Sequence, residues 1–546
     1  MRFFEVLRSV LAFVLIFLSS ACSGNGQAAA TNVQHSSGAS AVGGGGQSGG
    51  GSPGQVGGSA GRQSATGSAG TSNTGGSAGS HSVGGSSGST SAGGSAGSST
   101  AGGGAGAAGG PMGAAGAAGA TPDGPAQVDP SAPLTPVSFF PTKGRTNACA
   151  DASVSIQFNR KPILKAGGKI QIIDASGAVF DSVTSNPDGD LYFSGLVTRS
   201  SGGKSFKSEV LDIVYNTVVF HPKSKLEYGK TYSVTVDEGT ITDELGTKFS
   251  VDRSDNWTFT VRSQAPAASS TYTLAADGSG DYCSIESVLD ALPDNATSVR
   301  VVRVEPGVYP GIVRMNDSQV HFVGAGIDKS IFATKNSATM NTSREGIVLT
   351  GSDVRFEDLT IFNTYLKDSN GQQAEALHVA EGSQKVVLKN VHLRSHQDTL
   401  RVDGSAYMEG GKISGSTDPL WGYGAFYCDG CELSSRTSGH AFVVTRSTKG
   451  FGLVNCSVTK DSDTVKTTYL AQYHDGSEPG KIAFVKCKMD SHIAGWKRAQ
   501  GNAWYEYQNT KLQTGEPLMF DGKQLAAGSA ELTALGSAKA WLGWSP

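Results

Sequence analysis

VVLKNVHL (386–393), AYMEGGKI (406–413) and FYCDGCEL (426–433) are the stretches whose reading decides the fold. Each holds an apolar pair, a polar or glycine residue, then apolar positions two apart. VRFEDLTI (354–361), FGLVNCSV (451–458) and IAFVKCKM (482–489) repeat the pattern on either side. With Asp358, Asn390, Gly410, Gly430, Asn455 and Lys486 as register marks, the steps are 32, 20, 20, 25 and 31 residues. Short strands at that period, with no helix between them, predict a β-solenoid with one rung per repeat. Cys431, Cys456 and Cys487 share one register and are expected to stack inside it, below Val391 and Gly411 on earlier rungs. A disulfide could span neighbouring rungs, about 4.8 Å apart, but plain packing suits an inward cysteine at a repeated apolar slot. The pairing of the seven cysteines therefore stays open. The CxxC at 428–431 lacks a second pair at metal spacing and is read as part of the repeat.

Working outward, 546 residues exceed one ordinary core. The balance of 44 basic against 47 acidic side chains gives no case for nucleic acid. Arg2 and Arg8 precede the short apolar run Val10–Leu18, which is followed by Ser19, Ser20, Ala21 and Cys22, so residues 1–22 read as an export signal. LSSAC resembles a bacterial lipoprotein box, which implies a lipid on Cys22 and an outer-membrane or cell-surface location, with plain secretion as the alternative. Residues 23–133 are Gly, Ser and Ala with few large apolar side chains, and are expected to form a disordered tether. A G-x-S-x-G string at 84–88 lies within it, with no strand or helix to give it meaning.

Residues 134–264 hold short alternating runs, among them Val154–Phe158, Lys169–Ile173, Val210–Val214, Tyr232–Val236 and Trp257–Val261. Turn residues separate them, and the spacing predicts a small β-sandwich. The stretch, with SIQFNRKPI (155–163), resembles bacterial Ig-like domains and is read as a spacer, with glycan binding as the lesser alternative.

Residues 271–546 resemble the pectin methylesterase family of carbohydrate esterases. The resemblance runs, in family order, through AADGSGDYCSIESVLDALP (275–293), VEPGVYPG (304–311), QAEAL (373–377), QDTL (397–400), DPLWG (418–422), AGW (494–496) and WYEYQNT (504–510). It implies an all-β chain whose catalytic domain is a right-handed parallel β-helix. After Lys511 the repeat stops, and ELTALGSAKAWLGW (531–544) has apolar residues at helical spacing, expected to cap the open end.

Asp398 and Asp418 stand 20 residues apart, one of the repeat steps, which predicts matching positions on adjacent rungs. Two carboxylates that close cannot both ionise freely, so one can hold a proton at neutral pH. The resemblance implies Asp418 as nucleophile, Asp398 as general acid and base, and Gln373 and Gln397 as donors to the oxyanion. It also implies Trp496 as a groove aromatic, and Trp421 and Tyr423 are further groove candidates. Pectin is the implied partner and pectin demethylesterification, in cell-wall modification or degradation, the implied reaction. No cofactor, no metal and a monomer are expected, with the membrane met only through the lipid.

The family's usual arginine, in an L-G-R-x-W string, is Gln472 here, and the aromatic two places on is His474. Loss of a cation beside Asp418 is expected to weaken the nucleophile and loosen its orientation. Arg401 or Arg446 could supply the charge from another rung. Pro419, Leu420 and Trp421 replace the usual phenylalanines, and Gly311 replaces a glutamate. Two alternatives follow: a catalytically impaired surface glycan-binding protein, or an esterase for another acyl group. His378, His396, His440 and His492 show no metal spacing.

Overall fold

The computed structural model describes residues 132–186, 196–292, 297–365, 372–472, 480–497 and 503–546. The export signal, Cys22, nearly all of the tether and His474 lie outside these residues.

Alternation along the first folded region builds two facing sheets. Pro136–Phe140, Val154–Phe158, Thr217–Phe220 and Leu211–Val214 form one. The other centres on Thr231–Thr242, flanked by Thr258–Val261 and Lys169–Asp174. Their inward residues, among them Phe158, Ile172, Tyr232, Trp257 and Phe259, are buried together, each contributing about 1.5–3 kcal/mol. The indole of Trp257 donates to the Pro141 carbonyl at 2.9 Å.

From Thr271 onward the strands pair in parallel, rung upon rung, on three faces. The first two faces are joined at a corner, and the register marks are its corner residues. Asp358, Asn390, Gly410, Gly430, Asn455 and Lys486 all have φ between 49° and 68°. Asn and Asp tolerate this left-handed conformation because their short side chains bond locally; Asn390 Nδ2 donates to Asp358 Oδ1 at 2.6 Å. Among the described residues the third face has seven strands: Val313–Met315, Ile347–Leu349, Leu377–Val379, Leu400–Val402, Leu420–Gly422, Ala441–Thr445 and Tyr469–Ala471. In the strands up to Leu400–Val402 the first and last residues point inward, as the buried Leu377, Val379, Leu400 and Val402 show. The middle residue faces out.

Cys431, Cys456 and Cys487 are buried at one register, fixed by the pairs Glu432–Ser457 and Ser457–Lys488. Cys431 is bonded to Cys428 within its own rung, while Cys456 and Cys487 are free thiols.

The sandwich and the β-helix are clamped together. Cys149 and Cys283 form a disulfide across the junction. Asp151 accepts from the Cys283 and Ser284 amides at 2.9 and 2.7 Å, at the start of helix Ile285–Ala291. That helix buries Ile285, Val288 and Leu289 in the solenoid core beside its first strands. Lys335 meets Glu209 at 2.7 Å and Asp212 at 3.3 Å.

The C-terminal segment does form helices, Ala530–Ala534 and Ala538–Leu542, but they do not cap the open end. They lie along the outside of the first face, where Leu535 and Trp541 pack with Tyr427 and Val454. Trp541 Nε1 donates to the Phe426 carbonyl at 3.0 Å. Gly452 makes the approach possible, since a Cβ there would stand 2.9 Å from Leu535.

Candidate active site

The third face turns a column of middle residues outward: Arg314, Val348, His378, Arg401, Trp421 and Val444 on successive rungs, with Gln472 on the rung beyond Val443. Just before these strands, Asp398 and Asp418 occupy equivalent corners. Both have positive φ, 63° and 48°, a strained conformation that clusters at functional sites. The register is fixed by the bridge between Gln397 and Thr417, by the Leu400–Leu420 pair and by Asp398 N donating to Thr417 O at 2.9 Å. The carboxylates therefore stand one rung apart, about 4.8 Å in backbone spacing.

They open into a cleft of about 170 Å³, lined also by Arg344, Gln373, Gln397, Trp421, Tyr423 and Arg446. Gly422 closes its floor with φ at 139°, where a Cβ would lie 2.1 Å from the Val402 carbonyl oxygen. Gln472 Nε2 donates to Asp418 Oδ1 at 2.7 Å. The amide at the arginine's position thus supplies Asp418 with an orienting hydrogen bond where the sequence suggested that one was lost.

Neither Arg401 nor Arg446 pairs with Asp418. Arg401 is drawn to Asp403 at 2.7 Å and lies over the Trp421 ring at 4.5 Å. Arg446 donates to Tyr423 Oη at 2.6 Å. Among the described residues, the cation that enters the carboxylate pair is Arg344, which the sequence gave no motif to find. Its Nη2 donates to Asp398 Oδ2 at 3.2 Å, and its Nε to both oxygens of Glu375 at 2.8 and 3.0 Å. Glu375, inside QAEAL, is fully buried one rung before Asp398. A charged residue in an otherwise apolar run was the one available signal.

Burial pushes the Glu375 carboxyl up to about 7, against the pull of Arg344. Asp398 is pushed well above the usual carboxylate range, first by burial, then by Glu375 and Asp418, with Arg344 opposing. The two carboxyls are thus set apart: Asp398 is shifted toward its protonated form, while Asp418 accepts the Gln472 amide. One rung earlier, Glu345 is held down at about 2 despite burial, by hydrogen bonds from His378 and Ser343. His378, though burial opposes it, is raised by its bonds to Asp403 and Glu345.

Trp496 is not in this cleft. It is 7% exposed, its ring stacks on Trp504 at 4.9 Å and its indole donates to Glu506 Oε1 at 2.7 Å. The buried Glu506 carboxylate draws the indole N–H inward, making Trp496 part of the core near the last rungs.

Fold and cleft together define a parallel β-helix protein with a paired-carboxylate site on its outer face. Residues 271–514 form a pectinesterase family domain, matching that family's model, and residues 129–261 match the bacterial Ig-like domain. Pectinesterase family homology implies a carboxylic ester hydrolase. Pectinesterase 31 of Arabidopsis thaliana is 25% identical over 266 residues, 43% of this chain and 81% of the relative. Pectinesterase A of Dickeya dadantii is 26% identical over 323 residues, 49% of this chain and 86% of the relative. Among solved structures, the pectin methylesterase PemA from Erwinia chrysanthemi aligns with a TM-score of 0.44 at 21% identity, covering 50% of this chain and 97% of that one.

Proposed function

We propose that this chain hydrolyses methyl esters of polygalacturonate. The observation that carries the reading is the pair of aspartates in equivalent left-handed corners one rung apart, the first pushed toward its protonated form by burial and the second oriented by Gln472. Asp418 attacks the ester carbonyl carbon, and the resulting oxyanion is stabilised by the Gln373 and Gln397 amides at the cleft wall. As the tetrahedral intermediate collapses, the C–O bond to the methoxy group breaks and Asp398 gives its proton to the leaving oxygen, releasing methanol. The mixed anhydride on Asp418 is then hydrolysed by a water that Asp398 deprotonates, which restores both carboxyl groups and frees the galacturonate acid.

Trp421 and Tyr423, with rings 6.2 Å apart, offer flat apolar surfaces to a sugar. The export signal and tether support action outside the cell, at a lipid-anchored station. The class of ester is tested by giving the full chain methylesterified polygalacturonate and an acetylated polysaccharide side by side. Methanol without acetate supports the reading. Acetate without methanol assigns the site to another acyl substrate.

A further inference from the structure

The seam between the sandwich and the β-helix contains a cleft of about 880 Å³, far larger than the one at the aspartates. Its floor is the third face itself. Arg314, Val348 and His378 line it, and they are the same outward column that continues through Arg401 to Trp421. His378 and Trp421 stand two rungs apart, on the order of 10 Å, so one extended chain lying along the face reaches both clefts.

Its wall comes from the sandwich. Hairpin strands Val197–Ser201 and Lys204–Ser208 present Lys204, Ser205 and Phe206 to the cleft. The hairpin is held in place against the β-helix. Arg314 N donates to Ser201 Oγ at 3.0 Å, Lys207 N to Asn341 Oδ1 at 2.7 Å, and Asn341 Nδ2 back to the Lys207 carbonyl at 2.9 Å. The Cys149–Cys283 disulfide and the Lys335 ion pairs fix the two domains behind it. A wall so anchored is pre-formed and needs no ordering when a ligand arrives.

The lining has the chemistry of a sugar acid site. Phe206, Met340 and Val348 give apolar surface, while hydroxyl groups of Ser205 and Thr342 offer hydrogen bonds. Glu345 is the one carboxylate in the lining, against Arg314, Lys204 and His378, and His378 is held by Asp403 as well, at 2.9 Å. Glu345 is already engaged by His378 at 3.2 Å and by Arg314 at 3.8 Å. Lys204 is exposed at the hairpin tip and has no ion pair among the described residues.

We propose that this seam cleft is a second binding site, taking free-carboxylate uronate units of the same polymer whose esters meet Asp398 and Asp418. The Ig-like domain is then a working wall of the substrate groove, where its sequence suggested a spacer. The proposal rests on the polygalacturonate reading for its ligand class, and the test separates the two.

De-esterified galacturonate oligomers of increasing length are titrated calorimetrically into the full chain, because binding of product needs no turnover. Lys204→Glu and Ser205→Trp, both at exposed hairpin positions, are run beside the native protein. Native affinity should rise with length until both clefts are spanned. In Lys204→Glu the ratio of long- to short-oligomer affinity should fall about tenfold, the worth of one charge-assisted contact. Ser205→Trp, which fills the cleft, should lower the same ratio. Equal ratios in all three proteins, or no binding of any oligomer, would overturn the proposal. A ratio that falls in a chain releasing no methanol upholds the cleft and removes the esterase reading.

Discussion

Replacing Glu375 by glutamine tests the charge balance beneath the cleft. The native carboxyl is fully buried, and burial moves its pKa from 4.5 to about 7 with Arg344 pulling the other way. Between those values the native state holds more protons than the unfolded chain. The stability tied to the protonated group is thus complete below about pH 4.5 and lost as pH rises through about 7. At about 1.4 kcal/mol per pH unit the loss is on the order of 3 kcal/mol. Glutamine keeps the shape and an acceptor for Arg344, yet has no charge to bury. The variant should therefore lack this fall and gain on the native chain toward alkaline pH. Its amide N–H group, facing no acceptor, takes back about 1–2 kcal/mol at every pH. Removing the Glu375 charge also withdraws one of the influences that raise Asp398, so the alkaline limb of the pH–rate profile should move to lower pH. Guanidinium unfolding of the full chain at about pH 5 and pH 8 measures the first effect, and kcat/KM across pH the second. A variant whose stability falls with pH as steeply as the native chain's, or whose alkaline limb moves upward, would refute the reasoning.

Gln472→Arg should raise kcat for methanol release, since a charged donor on Asp418 holds a carboxylate about twice as strongly as a neutral one. A fall in kcat would mean that this cleft requires the amide. Trp496→Ala should cost about 3–5 kcal/mol of stability, as for other buried tryptophans, with KM for pectin unchanged in the folded protein; an unchanged Tm with a raised KM would return Trp496 to the groove. Cys149→Ser with Cys283→Ser opens a link spanning 134 residues, which chain entropy values at up to about 5 kcal/mol. The double variant should unfold at lower denaturant, and an equal midpoint would show that the ion pairs hold the domains unaided.

The β-helix was legible because its corners need left-handed residues, and Asp358, Asn390, Gly410, Gly430, Asn455 and Lys486 mark them at the repeat's own period. The same arithmetic placed Asp398 beside Asp418. Arg344 was hidden because its partners, Glu375 and Asp398, are neighbours only across rungs. Trp496 misled because an aromatic at a rim and one in a core read alike; Glu506, which fixes its direction, is ten residues away. The C-terminal helices showed in their spacing, but the surface they cover depends on the outward Tyr427 and on space above Gly452. The role of the hairpin wall was beyond reach for a related reason. It depends on how two domains dock, and the residues that dock them, Ser201 with Arg314 and Lys207 with Asn341, lie more than a hundred positions apart.

The most direct test of the central claim is methanol release from highly methylesterified pectin by the full chain, with Asp398→Asn and Asp418→Asn measured in parallel. The account predicts steady release by the native protein with Gln472 in place, falling to background in both variants. No release by the native chain, or release that survives loss of Asp418, would contradict it.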